Sequence, residues 1–263
     1  MTILTLIMAT MASLFAITVF AEGETPSADS LLKKAIQAVY RNNEESVYTM
    51  KLIAASGEVT TRKMKVWFKS KSAEEAKLMI KFLEPADIRG TGVLTIADKG
   101  KTSDQWLFLP ALNKSRRIGG SSNKDESFLG SDFSMGDLSV DKDDSLNYKV
   151  EGSEKVDGSD CYKVVGTPKP GTDQSSLTYI KKVYFVRKDN GLGVKAEFYN
   201  QASQIEKVLS LQKIHKDGAD YTADAIEMKN LQTKHATLLE FEKRDVSKVP
   251  NDNIFTINFL ERK

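Results

Sequence analysis

The chain is expected to be mainly β, with few helices (an α+β arrangement) and roughly ten or eleven strands joined as one antiparallel meander. Three observations carry this. Apolar and polar residues alternate at period two along most of the chain after residue 47. Turn residues recur at regular intervals, as Ser56-Gly57, Asp189-Asn190-Gly191 and Lys216-Asp217-Gly218. One stretch near the start departs from that period and has helical spacing instead.

The first 21 residues hold no charged side chain, and Ile3 to Phe20 is apolar with scattered Thr and Ser. Val19-Phe20-Ala21 places small or branched residues at −3 and −1 of a cleavage site before Glu22, which reads as a secretory signal peptide. The expected product is a single exported domain, residues 22–263. The leader has no Lys or Arg, and its length approaches that of a membrane span, so retention as an anchor is the competing reading. No Cys follows Ala21, which argues against ordinary lipoprotein processing of this chain.

After a polar linker at 22–29, residues 29–41 form an amphipathic helix. Leu31, Leu32, Ala35, Ile36, Val39 and Tyr40 share one stripe, with Ser27 or Asp29 as N-cap. Strands follow. Tyr48, Met50, Leu52 and Ala54 alternate. Met64, Val66 and Phe68 share one face of the next strand, and Lys63, Lys65, Trp67 and Lys69 the other. Leu78, Ile80 and Phe82 repeat the pattern. Residues 93–97 and 105–109 read as a hairpin, and 113–118 as a further strand. A long connection covers 119–145, with a helical turn near 132–139. Strands resume at 146–151 and 160–166. A Pro/Gly/Ser segment at 167–176 precedes the last set at 178–188, 193–199, 205–215, 220–229 and 235–243.

Charge and motifs exclude several function classes. The 263 residues carry a net charge of +2, with the two signs interleaved, so no nucleic-acid footprint is present. His215 and His235 lie in strand-like runs, with no partner at metal-ligand spacing. The acidic cluster Asp137, Asp141, Asp143 and Asp144 lacks the central Gly and terminal Glu of an EF-hand. Cys161, the one cysteine, reads as a buried strand thiol. No nucleophile elbow, P-loop or dinucleotide fingerprint occurs, so neither catalysis nor a cofactor is expected.

Two stretches are more specific. Phe82, Leu83, Pro85, Asp87, Gly90, Thr91 and Leu94 form a Phe-Leu-x-Pro-x-Asp-x-x-Gly-Thr-x-x-Leu pattern. A Trp-Leu-aromatic-Leu-Pro-Ala-Leu run at 106–112 follows, then Arg116-Arg117, then Phe-x-Gly-Ser-Asp-Phe from Phe128 to Phe133. In order and spacing this resembles the outer-membrane lipoprotein-sorting proteins, the LolA/LolB-like periplasmic carriers. The resemblance implies a curved antiparallel sheet, or half-barrel, covered by helices and a loop and holding a hydrophobic cavity. It implies a non-enzymatic carrier for lipoproteins or other lipid-like cargo, meeting inner- or outer-membrane transport proteins. A periplasmic sensor or adaptor module that binds a membrane protein partner is the competing function, since the same fold serves both.

The expected ligand-binding residues are Ile80, Phe82, Leu94, Ile96, Trp106, Phe108, Arg116, Arg117, Phe128 and Phe133. Strand alternation leaves open whether Trp106 and Phe108, or Leu107 and Leu109, face the interior with Ile80, Phe82, Leu94 and Ile96. The 119–145 connection is expected to act as a lid, hinged at Gly119, Gly120, Gly130 and Gly136, with Phe128 and Phe133 either plugging the pocket or anchoring the loop. Arg116 and Arg117 point to opposite faces of a strand, and one of them could pair with Asp132 to hold the loop closed.

Overall fold

The computed structural model describes residues 25–40, 43–72, 75–101, 103–118, 126–139, 145–218 and 220–262. The leader, Gly119 and Gly120 lie outside these, as do Asp141, Asp143 and Asp144. The first meander comprises β1 (Asn43–Ile53), β2 (Val59–Ser72), β3 (Glu75–Glu84), β4 (Gly92–Ala97), β5 (Asp104–Leu109) and β6 (Lys114–Ile118). The second comprises β7 (Leu146–Val156), β8 (Ser159–Pro168), β9 (Lys181–Arg187), β10 (Gly193–Tyr199), β11 (Ile205–Asp217), β12 (Asp220–Asn230) and β13 (Ala236–Asp245). β13 returns to pair with β1, so both meanders form one antiparallel sheet ordered β6-β5-β4-β3-β2-β1-β13-β12-β11-β10-β9-β8-β7. Among the described residues that makes thirteen strands, not ten or eleven. Every alternating run pairs as a strand in its own right, and none is left as a connection.

The sheet is open, with β6 and β7 at its edges, and strongly curved. β3 and β9 are seven steps apart, which in a flat sheet would be about 34 Å. Yet Leu78 and Ile80 of β3 and Lys182 and Tyr184 of β9 line one pocket. Only a sheet curled toward itself brings them together.

Register decides which residues face inward, because directly opposed residues in an antiparallel pair share a face. On the concave side Ser46, Val66, Ile80, Val93 and Leu107 fall in one cross-strand row, and Tyr48, Met64 and Phe82 in the next. On the convex side Trp67, Met79, Leu94 and Trp106 form the corresponding row.

The convex row is apolar because the C-terminal segment lies on it. Phe255 and Leu260 are buried against Trp67, Met79, Leu94 and Phe108, with Ile96 and Trp106 at the margin. The Phe259 ring meets Trp67 edge-on at 5.5 Å. A short helix, α2 (Ile257–Leu260), is capped by Thr256, whose hydroxyl accepts from the Phe259 N–H. The buried Lys81 ammonium donates to the carbonyls of Gly90, Leu260 and Arg262, each at 2.7 Å. Burial pushes that ammonium down to about 8. Asp252 bridges Lys69 and Lys77 at 2.8 and 2.9 Å, closing the segment at its other end. Gly92 allows this approach. A Cβ there would sit 2.9 Å from both the Ile80 carbonyl oxygen and a Leu260 methyl.

Helix α1 (Ala28–Tyr40) starts where expected, and Ser27 is its cap, accepting from the Ser30 N–H at 3.2 Å. Ala28, Leu31, Leu32 and Ala35 pack on Val164 of β8 and Val186 of β9. The helix covers the second meander, while the 126–139 segment covers the first.

Candidate functional site

The Phe-x-Gly-Ser-Asp-Phe stretch is a tight hairpin folded into the concave face. Ser127 and Ser134 form a β-bridge, and the Phe128 N–H donates to the Phe133 carbonyl at 2.8 Å. Gly130 at the tip has φ +76°, a conformation glycine adopts at little cost. Three side-chain bonds hold the tip down. Arg62 of β2 donates to the Leu129 carbonyl at 2.5 Å. The buried Asp132 carboxylate accepts from Thr237 Oγ1 at 2.7 Å and His235 Nδ1 at 2.6 Å. Beyond the hairpin, Gln105 of β5 donates to the Met135 carbonyl at 3.0 Å. The segment is therefore a strap spanning the first meander from β5 to β13, and its bonds satisfy backbone groups that would otherwise be buried unpaired.

Between strap, α1 and sheet lies a pocket of about 510 Å3. Its floor is Met50, Met64, Val66, Leu78 and Ile80 from the first meander, and Leu211, Ile226 and Met228 from the second. Phe128 and Phe133 close it on the strap side, Leu32 and Ala35 on the helix side. These twelve side chains are buried.

One end differs in character. Ser139, Ser145, Thr178 and Lys182 line it, all part-exposed. The Lys182 ammonium lies 5.6 Å from the centre of the Tyr179 ring. Tyr179 is buried and donates to Asp137 Oδ2 at 3.4 Å. Burial, reinforced by the nearby Asp137 charge, pushes the Tyr179 hydroxyl pKa upward, so it stays a neutral donor. The pocket thus grades from an apolar floor to a polar mouth. Among the described residues no group of three or more His, Cys, Asp or Glu could hold a metal ion.

The expected site residues divide between the two faces. Ile80, Phe128 and Phe133 line the pocket. Phe82 lies beside it in the core, its ring 5.5 Å from that of Phe128. Leu94, Ile96, Trp106 and Phe108 are on the convex face beneath the C-terminal segment, and Leu107 takes the inward position. The grouping of Ile80 and Phe82 with Leu94 and Ile96 is corrected accordingly: consecutive strands sort them by register onto opposite faces. Arg116 and Arg117 do face opposite ways, opposed to Leu107 and Trp106 respectively. Both are exposed, Arg116 pairing with Glu126 at the base of the strap and Arg117 with Asp104. The partner of the Asp132 carboxylate is not an arginine: His235 and Thr237 hold it.

Sequence reading missed the share of the second meander, namely Leu211, Ile226, Met228 and Lys182. Alternation in 205–215 and 220–229 marked these strands as half-buried, but nothing local shows that they curl round to face β3.

The open sheet wrapped on a strap and a helix defines the class as a lipoprotein-sorting-like, LolA-type β fold. Residues 74–262 match a family model described only as uncharacterized protein, and the chain belongs to that family. Its structure is similar to an outer membrane lipoprotein-sorting protein domain from Vibrio parahaemolyticus, at TM-score 0.77 and 26% identity over 90% of this chain and 98% of that one. It is also similar to a DUF1329 family protein from Desulfovibrio piger, at TM-score 0.76 and 28% identity over 90% of this chain and 100% of that one. A LolA superfamily protein from Nitrosomonas europaea shares the fold, at TM-score 0.67 and 22% identity over 89% of this chain and 100% of that one. The resemblance to lipoprotein-sorting proteins holds. Among curated proteins no relative matches the chain.

Proposed function

We propose that this protein is a non-enzymatic periplasmic carrier, delivered there by cleavage of its leader after Ala21, that takes lipoproteins or other lipid-like cargo into the pocket between sheet, strap and helix. The observation that carries this reading is the pocket itself, about 510 Å3 with an apolar floor and a polar mouth. An acyl chain gains about 0.8 kcal/mol per buried CH2. A sixteen-carbon chain therefore gains on the order of 10 kcal/mol, against association costs of about 4–15 kcal/mol. At the lower end of that cost about 6 kcal/mol remains, a moderate and reversible affinity of the kind a carrier requires. Transfer to or from membrane transport proteins would then need no covalent chemistry, only a destination that holds the chain more tightly.

Met228→Trp tests this. Met228 is fully buried on the pocket floor, so an indole there intrudes into the space. The protein should bind a neutral fluorescent probe such as N-phenyl-1-naphthylamine, and the folded variant should bind it several-fold more weakly. Equal binding by both proteins, or none by the unaltered one, would overturn the reading.

A further inference from the structure

We infer that Tyr48 sets the length of hydrocarbon tail the pocket admits, acting as a wall backed by a buried ion pair. This rests on the carrier reading and adds a specificity-determining residue to it.

The inward residues of β1 run Leu52, Met50, Tyr48, Ser46 and Glu44. The pocket touches Met50 and Tyr48 and goes no further along this strand. Beyond Tyr48 the same face changes character. Glu44 has no solvent exposure. Its carboxylate accepts from the Ser46 hydroxyl at 2.6 Å, the Tyr48 hydroxyl at 3.2 Å, and Arg244 Nε and Nη2 at 2.9 and 2.6 Å. Arg244 also donates to the hydroxyl of the buried Thr222. Strands β1, β12 and β13 therefore meet in a buried charged cluster, with the Tyr48 ring between it and the apolar floor.

A buried pair of this kind is a poor source of net stability, because desolvating both charges offsets most of their attraction. Its position gives it another use. A tail that pressed past Tyr48 would exchange hydrocarbon neighbours for charged ones. Parting Glu44 from Arg244 would leave a buried charge uncompensated, which costs far more than one further buried CH2 returns. Tyr48 is also held in place. Its ring lies 4.3 Å from that of Phe241, and the Arg244 guanidinium lies 4.7 Å from the centre of the Phe241 ring. The Tyr48 side chain is buried, and its hydroxyl is tied to Glu44. The wall is thus fixed on its near side and charged behind, so carbons that reach beyond it gain nothing.

The test is displacement of N-phenyl-1-naphthylamine from the purified protein by straight saturated fatty acids, octanoate to stearate, each below its aggregation concentration. Every carbon that finds the apolar floor is worth about 0.8 kcal/mol, or about fourfold in affinity. In the unaltered protein affinity should climb at that rate and then level off at one chain length. Tyr48→Leu keeps an apolar side chain in the core and should move the levelling point to longer chains, a gain of about fourfold for the first acid beyond it. Tyr48→Ala should move it further. Tyr48→Phe keeps the ring against Phe241 and should leave it where it was. A merely structural Tyr48 would lower the Tm of the variants and leave the levelling point unmoved. That outcome in folded Tyr48→Leu, a profile in the unaltered protein that climbs all the way to stearate, or a bound probe that no acid displaces would each refute the wall and leave the carrier reading standing. Failure of the probe itself to bind would remove the carrier reading and this inference with it.

Discussion

Removing the Asp132 carboxylate should release the strap. Asp132 is buried, accepts from Thr237 and His235, and donates its own N–H to Thr237 Oγ1 at 2.9 Å. Thr237 has no solvent exposure, so in Asp132→Ala its hydroxyl hydrogen reaches neither carboxylate nor water. A hydrogen bond to a charged acceptor contributes about 1.5–3 kcal/mol, and a buried orphaned donor costs about 1–3 kcal/mol. The His235 side chain is 25% exposed, so its ring N–H recovers a water partner and adds little. The expected loss for Asp132→Ala is about 2–4 kcal/mol. Asp132→Asn keeps an oxygen of the same shape for Thr237 and should cost about 1 kcal/mol. Urea unfolding at unchanged slope measures the loss, and hydrogen exchange locates it. Amides of residues 126–139 should lose protection well before those of β1 and β2. A stability change under about 0.5 kcal/mol in Asp132→Ala, with unaltered exchange in the strap, would show that the latch is not what holds it.

Three further outcomes follow from the two faces of the sheet. Trp106→Ala should destabilise by about 3 kcal/mol, the lower end of the range for a large buried aromatic because Trp106 is only part-buried, yet leave acyl-probe affinity unchanged in a titration. Gly92→Ala should cost about 1–3 kcal/mol by overpacking, read as a lowered Tm and as early proteolysis of the C-terminal segment. Lys69 and Lys77 hold the Asp252 carboxyl down at about 2, below its unfolded value, so between the two values the unfolded chain binds more protons than the folded one. The clamp's contribution is therefore complete above pH of about 4 and is lost as pH falls through 2. The stability gap between the unaltered protein and Asp252→Asn, followed by acid titration, should close over that window.

Much of the architecture was legible because strand alternation is local. The β10 run at 193–199 and the starts of β11 and β12 fall where period two places them, and Ser27 caps a helix that its sequence announces. The inward face was not legible. Ile80 and Leu94 are both apolar on both readings, because the convex face is itself buried under Phe255 and Leu260, and a strand covered on two sides loses the contrast that assigns a face. The phenylalanines of the Phe-x-Gly-Ser-Asp-Phe stretch stood out as apolar side chains amid polar residues, and both do line the pocket. Their partners did not stand out. Asp132 finds Thr237 and His235 across more than one hundred residues, a pairing created by β13 returning to β1. The same closure brings Met228 and Leu211 opposite Leu78, so the second half of the pocket depends on topology that no local pattern reports.

The most direct test of the account is photolabelling with a diazirine-bearing palmitate, followed by peptide mass spectrometry. The account predicts saturable adducts, competed by palmitate, on pocket residues such as Met64, Phe128 and Met228, at one label per chain. Adducts confined to the Trp67, Trp106 and Phe108 face, or labelling that palmitate does not compete, would contradict it.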